Sequence, residues 1–465
     1  MRDPIDVTAP PYDARPDRVD NRAAIQAALD QRGAIYVPPG VFRIADALCL
    51  KSDTRLFGEG TLLLTAPESM ALLLTTGQRI NVHGLTLDGN FARGTDEVAG
   101  VVLLYGGASR IALDQLTIRR AGHFGISGAN ATHLTVKNCR IVDFVGRGIN
   151  WAFCDHTLVE ANHIDGQTAD GRLAEHGVEI WGKDGDQRRS QHHVLSNNTV
   201  KNVAGGGIWT ASVEDITIIG NYTERCLDVC LDVEDTRRAT IVGNVAKNGR
   251  NAGIATFFAS EGVRIQGNDI IQDADYGPGV RIFGEGISRQ VTVRHNTIRT
   301  HNSAGVFTNQ RTLADSRISA NHINVRRGVG ISLLEADRVD VADNVLLLGN
   351  ADRGLSLEGG SHCRVQRNQV LREEEETLPG NPLTHGGIYL YWRSPEFPGQ
   401  HNHVTNNTVR GFAVPINDNC WGQPSTNVIT GNQVRAVYYN RATGPYRGTM
   451  SGNRTERQDA RLVAY

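Results

Sequence analysis

Short stretches in which apolar and polar residues alternate recur along most of this chain, and many of them end in an Asn. The sequences Ile-Ile-Gly-Asn at 218–221 and Ile-Thr-Gly-Asn at 429–432 are two examples. An alternation with a period of two predicts β-strands that are buried on one face. Most successive Asn residues are 21 to 25 positions apart, a period typical of a solenoid. They are Asn138, Asn162, Asn198, Asn221, Asn244, Asn268, Asn296, Asn321, Asn344, Asn368, Asn407, Asn432 and Asn453.

This period also predicts how the strands assemble. One repeat cannot bury its own apolar face, whereas stacked repeats bury a continuous core. An Asn at the same corner of each coil can hydrogen-bond to the Asn of the next coil. We therefore predict a parallel β-helix of about 12–14 coils. Its function is expected on a face built by equivalent positions of successive coils.

The segment 12–65 differs from the repeats. Asn21 is predicted to cap a short amphipathic helix from Arg22 to Gln31. A strand, a Pro-Gly turn and a second strand are predicted at 33–44. Because the first coil of a solenoid exposes an unpaired edge, this segment is predicted to cap the N-terminal end.

The same segment resembles the opening of the pectate-lyase-like superfamily of right-handed β-helix proteins. The matching residues are Ala-Ile-Gln-Ala-Ala at 24–28 and Ile-Tyr-Val-Pro-Pro-Gly at 35–40, and the repeat extends the resemblance along nearly the whole chain. It implies an all-β fold, a single-stranded right-handed parallel β-helix with an N-terminal helical cap. The resemblance leaves the activity open, because the superfamily contains lyases, hydrolases, epimerases and phage tailspikes.

These patterns predict three regions along the chain. Residues 1–65 form the N-terminal cap, continuous with the solenoid; residues 66–453 form the parallel β-helix; residues 454–465 form a C-terminal tail. Two repeats are longer than the others, and their extra residues lie in 167–191 and 372–385. These insertions are mostly polar and are predicted to be loops that rim a binding site.

Composition excludes several classes of partner and location. The net charge is −2, which argues against a nucleic-acid or anionic-membrane partner, and no run of 18 apolar residues predicts a membrane span. The N-terminus carries no export signal, so we expect a cytoplasmic protein, or a secreted one if a signal has been removed. The seven Cys residues are expected to be reduced and mostly buried. A homo-oligomer is an open alternative, since some β-helix families form trimers.

A Gly followed by an apolar residue opens a strand in most repeats, as in Gly125-Ile126 and Gly148-Ile149. Because side chains alternate along a strand, the residue after the inward apolar one and the residue two positions later point outward. The first predicted outward row is Ser127, Asn150, Glu179, Trp209, Asp232, Ala255, Arg281, Phe307, Ser332, Ser356, Tyr389 and Asn417. The second is Ala129, Ala152, Trp181, Ala211, Glu234, Phe257, Phe283, Asn309, Leu334, Glu358, Tyr391 and Asn419.

Acidic and aromatic residues are concentrated on five successive repeats of these rows. Aromatic rings stack on the apolar faces of sugars and carboxylates carry out acid–base chemistry, so we predict an open, solvent-facing groove that cleaves a glycosidic bond. The substrate is a poly- or oligosaccharide, and no cofactor or metal is expected. The predicted catalytic residues are Asp232, Glu234 and Glu179, and the predicted substrate-binding residues are Trp181, Trp209, Asp228, Phe257, Arg281 and Phe283.

Strand geometry sets the distances expected between these carboxylates. Glu179 and Asp232 lie two coils apart, which places their Cα atoms about 9–10 Å apart. Asp232 and Glu234 are two residues apart in one strand, or about 6.5–7 Å. Inverting glycosidases separate their carboxyl groups by about 6.5–9.5 Å and retaining ones by about 5–5.5 Å. The spacing mildly favours inversion and leaves the acid and the base unassigned.

Three other interpretations stay open. A polysaccharide lyase could bind Ca²⁺ through Glu179, Asp232 and Glu234 and use Arg281 or Lys183 in proton transfer. The outward rows carry few basic residues, which favours a neutral or weakly charged glycan over a uronate polymer. An intramolecular glycosyl or fructosyl transferase also fits, as does a non-catalytic glycan-binding or tailspike-like protein. The Gly-His-Gly motif of polygalacturonases and the Asp-Pro-His motif of mannuronan epimerases are absent.

Overall fold

The computed structural model describes residues 3–66, 69–90, 100–182, 188–351, 353–373, 384–419, 425–439, 447–455 and 458–464. Nearly all of the secondary structure is parallel β-strand, and the fold is the predicted right-handed parallel β-helix. The chain divides into two compact units, Met1–Leu231 and Asp232–Tyr465. No helix within the described ranges is long and apolar enough to cross a membrane.

Each turn contributes strands in the order A, B, C, with the recurring Asn between A and B, and strands of one type pair in parallel from turn to turn. In the first unit the A strands are Ile5–Asp6, Gly33–Val37, Thr54–Gly58, Gln78–His83, Ser109–Asp114, Thr132–Lys137, Asp155–Glu160, Ser190–Ser196 and Val213–Ile219. The B strands are Val41–Ile44, Thr61–Leu64, Thr86–Asp88, Thr117–Ala121, Arg140–Phe144, His163–Asp165, Thr199–Val203 and Tyr222–Cys226. The C strands are Leu48–Cys49, Ala71–Thr75, Gly100–Leu104, Phe124–Ala129, Arg147–Ala152, His176–Trp181 and Ile208–Ala211.

The second unit repeats the same three sheets, and the C strand Val229–Glu234 contains the boundary between the units. Its A strands are Arg237–Val242, Arg264–Gln266, Ser288–Arg289, Thr292–Arg294, Leu313–Ser319, Asp337–Ala342, Arg364–Gln366, His403–Thr405, Val428–Thr430 and Thr449–Ser451. The B strands are Val245–Gly249, Asp269–Gln272, Thr297–Thr300, His322–Val325, Val345–Leu348, Gln369–Arg372 and Thr408–Arg410. The C strands are Ala252–Phe257, Val280–Phe283, Val306–Thr308, Val329–Leu334, Arg353–Glu358, Gly386–Tyr391, Ile416–Asn419, Ala436–Tyr439 and Arg461–Ala464.

The turns number about 16, more than the 12–14 predicted. Coils already form within the segment assigned to the cap, where Gly33–Val37 pairs in parallel with Thr54–Gly58. At the other end Arg461–Ala464 pairs with Ala436–Tyr439. The predicted region boundaries at 65 and 453 stay predictions.

One helix, Arg22–Asp30, is present where it was predicted. Ile25, Ala28 and Leu29 are its buried residues, and it packs against strands Gly33–Val37 and Leu48–Cys49. The predicted side-chain cap is wrong, because the Asn21 side chain accepts a hydrogen bond from the backbone N–H of Arg15 instead of one from the helix. Whether this helix acts as the end cap of the solenoid stays a prediction.

The recurring Asn side chains form hydrogen-bonded ladders within each unit. In the first unit the backbone N–H and the side-chain amide of Asn198 both donate to Asn221 Oδ1, each over 2.9 Å, and Asn162 donates to Asn198 in the same way. The second unit repeats this pair of bonds at each step along one ladder. Its members are Asn244, Asn268, Asn296, Asn321, Asn344, Asn368, Asn407, Asn432 and Asn453.

Asn138 is the exception among the recurring Asn residues. It has a positive φ of 54° and its side chain bonds to Asp114 outside the ladder. The next residue, Cys139, occupies the ladder position, and its backbone N–H donates to Asn162 Oδ1. The ladder position therefore falls one residue later than the Asn in this repeat, so Asn138 matches the sequence motif without joining the ladder.

The Gly that opens most C strands is required by close packing between coils. A Cβ on Gly177 would lie 2.1 Å from a methyl group of Val200 and 2.6 Å from the carbonyl oxygen of Gly207. A Cβ on Gly305 would lie 2.3 Å from a methyl group of Ile323 and 2.6 Å from the carbonyl oxygen of Gly330. Only Gly allows this approach, which explains the Gly-apolar period seen in the sequence.

The six described Cys residues are free thiols, and all but Cys49 are buried, as predicted. Burial raises the pKa of Cys139, Cys154 and Cys363 to about 12. These thiols are therefore protonated near neutral pH and fill space in the core. Cys420 lies outside the described residues.

One buried imidazole predicts a pH-dependent stability. His193 is 1% exposed, with Thr157 Oγ1 at 2.8 Å from Nδ1, and burial lowers its pKa to about 3. Below pH 6.5 the unfolded chain binds a proton that the native chain does not, so stability falls as pH falls from 6.5 towards 3. We expect His193→Gln to reduce the slope of unfolding free energy against pH by about 1.4 kcal/mol per pH unit in this window.

The slope is measured by urea unfolding at a series of pH values and does not depend on the absolute stability of the variant. Equal slopes for the wild type and His193→Gln would contradict the assignment of this proton to His193.

Candidate functional site

The C strands display the two outward rows in the predicted register. In the first unit Asn150 pairs with Glu179, which pairs with Trp209, and Ala152 pairs with Trp181. In the second unit Ala255 pairs with Arg281, and Phe257 pairs with Phe283. The register continues along the second unit through Phe307, Ser332, Ser356, Tyr389 and Asn417. The predicted alignment is therefore confirmed at these positions; Asn309 of the second row lies just beyond the strand Val306–Thr308.

The predicted exposure of this face is wrong for three of the site residues. Asp232 is 0% exposed, Glu179 is 7% exposed and Phe257 is 5% exposed. Long side chains from the same and neighbouring coils cover part of the outward face. The ring of Phe257, for example, lies 6.1 Å from that of Phe258 and 5.6 Å from that of Phe283. An outward side chain on this sheet is therefore not necessarily an exposed one.

Glu179 is held by an arginine from the preceding coil. Arg147 Nε donates to Glu179 Oε2 over 2.6 Å, and Arg147 Nη1 lies 2.5 Å from Glu175 Oε2. The guanidinium also lies 5.7 Å from the ring of Phe124 and 3.5 Å from His123 Nε2. This arrangement fixes the orientation of the Glu179 carboxylate, because the guanidinium fork is planar and bonds in defined directions.

Trp181 is half-buried and is fixed at both its edge and its face. Its indole N–H donates to Asn150 Oδ1 over 3.2 Å, and Asn150 in turn donates to Ser127 Oγ over 3.1 Å. The ring packs edge-on against Phe153 with 4.5 Å between centroids. A tryptophan held in this way keeps the rest of its surface available at low conformational cost.

Trp209 is half-buried beside an imidazole. The ring of His176 lies 5.6 Å from the ring of Trp209, and His176 Nδ1 accepts the backbone N–H of Gly206 over 2.9 Å. Burial lowers the pKa of His176, opposed by the charges of Glu179 and Asp228. His176 is therefore neutral near pH 7, and its proton lies on Nε2 because Nδ1 accepts a hydrogen bond.

Asp232 and Glu234 lie two residues apart in strand Val229–Glu234, with Asp232 buried and Glu234 half-buried. Their side chains project from the same side of the strand. Asp228, also half-buried, precedes the strand. Glu179 belongs to the first unit and Asp232 to the second, and the predicted distance between them stays a prediction.

In the second unit, Arg281 and Phe283 are brought together. The Arg281 guanidinium lies 4.4 Å from the ring of Phe283 and 6.0 Å from that of Phe307, and it bonds to Asn251. Arg281 and Phe307 line a cavity of about 380 Å³. The predicted substrate-binding role of Arg281 and Phe283 stays a prediction.

Neither Arg147 nor His176 was among the site residues predicted from the sequence. Each immediately precedes the Gly of a Gly-apolar pair, and the two are paired in register. Only positions after that Gly were aligned in the sequence, so the signal was present one position earlier. Arg353 occupies the corresponding position in the second unit, where it bonds to Glu358 and lies 4.2 Å from the ring of Tyr389.

Calcium binding would require a different arrangement of Glu179. Its carboxylate faces a guanidinium at 2.6 Å, so a bound cation would meet an existing positive charge. No group of three or more His, Cys, Asp or Glu among the described residues is arranged to hold a metal ion. Lys183, considered for proton transfer in a lyase, lies outside the described residues.

Two protein-family models match the chain. The model described as rhamnogalacturonase A/epimerase, pectate lyase-like, matches residues 9–255, more than half of the chain. The model described as periplasmic copper-binding protein (NosD) matches residues 160–353. No curated protein sequence matches the chain.

Several solved structures are similar at low sequence identity. The A-module of a mannuronan C-5 epimerase from Azotobacter vinelandii is 16% identical, with a TM-score of 0.49, over 88% of this chain and 98% of that module. An exopolygalacturonase from Thermotoga maritima is 15% identical, with a TM-score of 0.46, over 77% and 90%. The catalytic unit of an α-1,3-glucanase from Streptomyces thermodiastaticus is 14% identical, with a TM-score of 0.49, over 83% and 67%.

Proposed function

Because the chain belongs to the rhamnogalacturonase A/epimerase, pectate lyase-like family, we propose that it is a carbohydrate-active enzyme that cleaves a glycosidic bond of a poly- or oligosaccharide. One observation carries this proposal. On the outward face of the C strands, the carboxylate of Glu179 is oriented by Arg147. Glu179 shares the strand His176–Trp181 with Trp181 and pairs in register with Trp209 of the next coil. An oriented carboxylate beside indole rings matches the requirements for binding and cleaving a sugar chain.

Cleavage of a glycosidic bond needs one carboxyl group that protonates the leaving oxygen and one carboxylate that attacks the anomeric carbon or activates water. Glu179 accepts a hydrogen bond from a guanidinium, so we assign it to the second role. We assign Asp232 and Glu234 as the candidates for the proton donor. Arg147 is a positioning residue in this scheme, because it acts through Glu179.

The aromatic side chains supply the sugar-binding surface. Trp181 and Trp209 are each half-buried, so part of each indole remains accessible for stacking on the apolar face of a sugar ring. His176 contributes a neutral N–H donor next to Trp209, which suits a sugar hydroxyl. A neutral or weakly charged glycan fits this surface, since the guanidinium of Arg147 is already engaged by two carboxylates.

Product analysis tests the proposed reaction. The protein is incubated with a panel of neutral and acidic glycans, with and without a chelator, and the products are analysed by mass and ultraviolet absorbance. We expect saturated reducing products that form in the presence of the chelator. An unsaturated uronate product that absorbs in the ultraviolet and forms only with Ca²⁺ would establish a lyase instead. A product lighter by one water without that absorbance would establish a cyclising transferase, and binding without any product would establish a binding protein.

A further inference from the structure

A groove on the A strands of the second unit is separate from the outward rows of the C strands. Its volume is about 650 Å³, and its lining residues, between Gly262 and Arg364, come from the A strands and the residues that flank them. Arg264, Arg317, Arg338 and Arg364 line it, together with Asp315 and Asp340. Cations therefore outnumber carboxylates among these charged lining residues.

Three of these arginines fall in one line across the coils. Arg264 pairs in register with Thr292, which pairs with Arg317, and Arg317 pairs with Asp340, which pairs with Arg364. Neighbouring strands are about 4.8 Å apart, so an arginine recurs about every 9.6 Å and the line extends about 19 Å. The positive charges therefore form a linear array rather than a point site.

The carboxylates in the groove are already engaged by other side chains. Arg338 Nε donates to Asp315 over 2.6 Å, and Arg289 also bonds to Asp315. Asp340 lies 3.6 Å from Arg317 Nε and accepts the side-chain amide of Gln366 over 3.0 Å. Arg317 and Arg338 therefore each form an ion pair with a carboxylate of a neighbouring coil.

Arg264 and Arg364, at the two ends of the line, are different. Both are exposed, and within the described ranges no carboxylate lies at ion-pairing distance from either guanidinium. An exposed arginine that pairs with nothing on its own chain keeps all five N–H donors available for a ligand. The arginines at the two ends of the array are therefore available to bind an anion, whereas Arg317 at its centre is already ion-paired.

From this arrangement we infer that the groove binds an extended anionic polysaccharide whose carboxylates meet Arg264 and Arg364. A guanidinium bonds a carboxylate through two parallel N–H donors, and the distance between the two free arginines requires a ligand with several charged units. The groove lining that the structure describes includes no Phe, Tyr or Trp, so it lacks the stacking surface typical of single-stranded nucleic-acid sites. This site is independent of the proposed cleavage site on the C strands.

The test uses binding rather than turnover. An oligogalacturonate long enough to reach from Arg264 to Arg364, across five coils, is titrated at low and at physiological salt into the full chain carrying Glu179→Gln, which slows any cleavage of the probe. Adding Arg264→Gln and Arg364→Gln is expected to weaken Kd about tenfold. This is about 1.4 kcal/mol in total, which lies within the range for the loss of two exposed ion pairs. The loss should shrink as salt screens the charges.

The matched control removes the same charge elsewhere in the second unit. Arg299 lies on a B strand and Arg326 follows another, and both are exposed. The pair Arg299→Gln and Arg326→Gln should leave Kd within about twofold of the parent, because rim or distant charges contribute little. An equal loss in both pairs, or none in the groove pair, would overturn the inference.

Four further probes test the chemistry. Galacturonic acid monomer and a neutral dextran of equal length should bind at least tenfold more weakly than the oligogalacturonate. If a sulfated oligosaccharide bound more tightly than the oligogalacturonate, the ligand's anionic groups would not be carboxylates as inferred. If single-stranded DNA bound more tightly, the ligand would not be a polysaccharide. Because all readouts are affinities, failure of the proposed cleavage reaction would leave these results unchanged.

Discussion

Glu179→Gln is expected to lower kcat on the cleaved glycan by a factor of about 10²–10⁴ and to leave KM within a few-fold of the wild type. The substitution keeps the size of the side chain and its ability to accept a hydrogen bond from Arg147, but it removes the charge and basicity of the carboxylate. Initial rates of reducing-end release over a range of substrate concentrations measure both constants. A kcat near that of the wild type would place the chemistry elsewhere.

Glu175→Gln is the matched control for this experiment. Glu175 contacts the same guanidinium as Glu179, but its side chain is 55% exposed, against 10% for that of Glu179. We expect its kcat to remain within about threefold of the wild type, because an exposed ion pair is worth about 1 kcal/mol or less. An equally large loss of kcat in Glu175→Gln would show that activity depends on both ion pairs of Arg147. The role of Glu179 would then be structural rather than catalytic.

Asn321→Ala is expected to destabilise the protein by about 3 kcal/mol. The side chain is 1% exposed, its Oδ1 accepts from both donors of Asn296, and its Nδ2 donates to the carbonyl oxygen of Val293 and to Asn344. The alanine leaves these buried groups without partners, and each such group costs about 1–3 kcal/mol unless water replaces the lost bond. Urea unfolding followed by far-ultraviolet circular dichroism measures the change.

Asn324→Ala provides the comparison, in the strand His322–Val325 that directly follows Asn321. The Asn324 side chain is half-buried and lies outside the ladder. Its removal should change the free energy of unfolding by about 0.5 kcal/mol or less. Equal effects of the two substitutions would mean that the ladder contributes no more than an ordinary surface Asn.

The architecture of this protein could be predicted from the sequence because its causes are local and repeated. An Asn such as Asn321 recurs at one corner of successive coils because it bonds to the Asn of the next coil. A Gly such as Gly305 opens the C strand because a Cβ there would clash with the neighbouring coil. The same alternation also predicted the register of the outward rows. Among the recurring Asn residues, Asn138 was assigned to the ladder wrongly, because the ladder position in that coil is the next residue, Cys139.

The chemistry of each face was decided by contacts between residues that are far apart in the sequence. Arg147 reaches Glu179 across 32 positions, and Arg338 reaches Asp315 across 23, and no periodicity shows which charges meet. Burial of Glu179 and Asp232 likewise depends on the side chains that cover them, whereas alternation predicts only the direction in which a side chain points. Thus the period of the sequence determined the path of the backbone, since the same Asn and Gly contacts recur between successive coils. Exposure, ion pairing and the free arginines of the groove were decided only in the tertiary structure, because each depends on which particular residue the adjacent coil supplies.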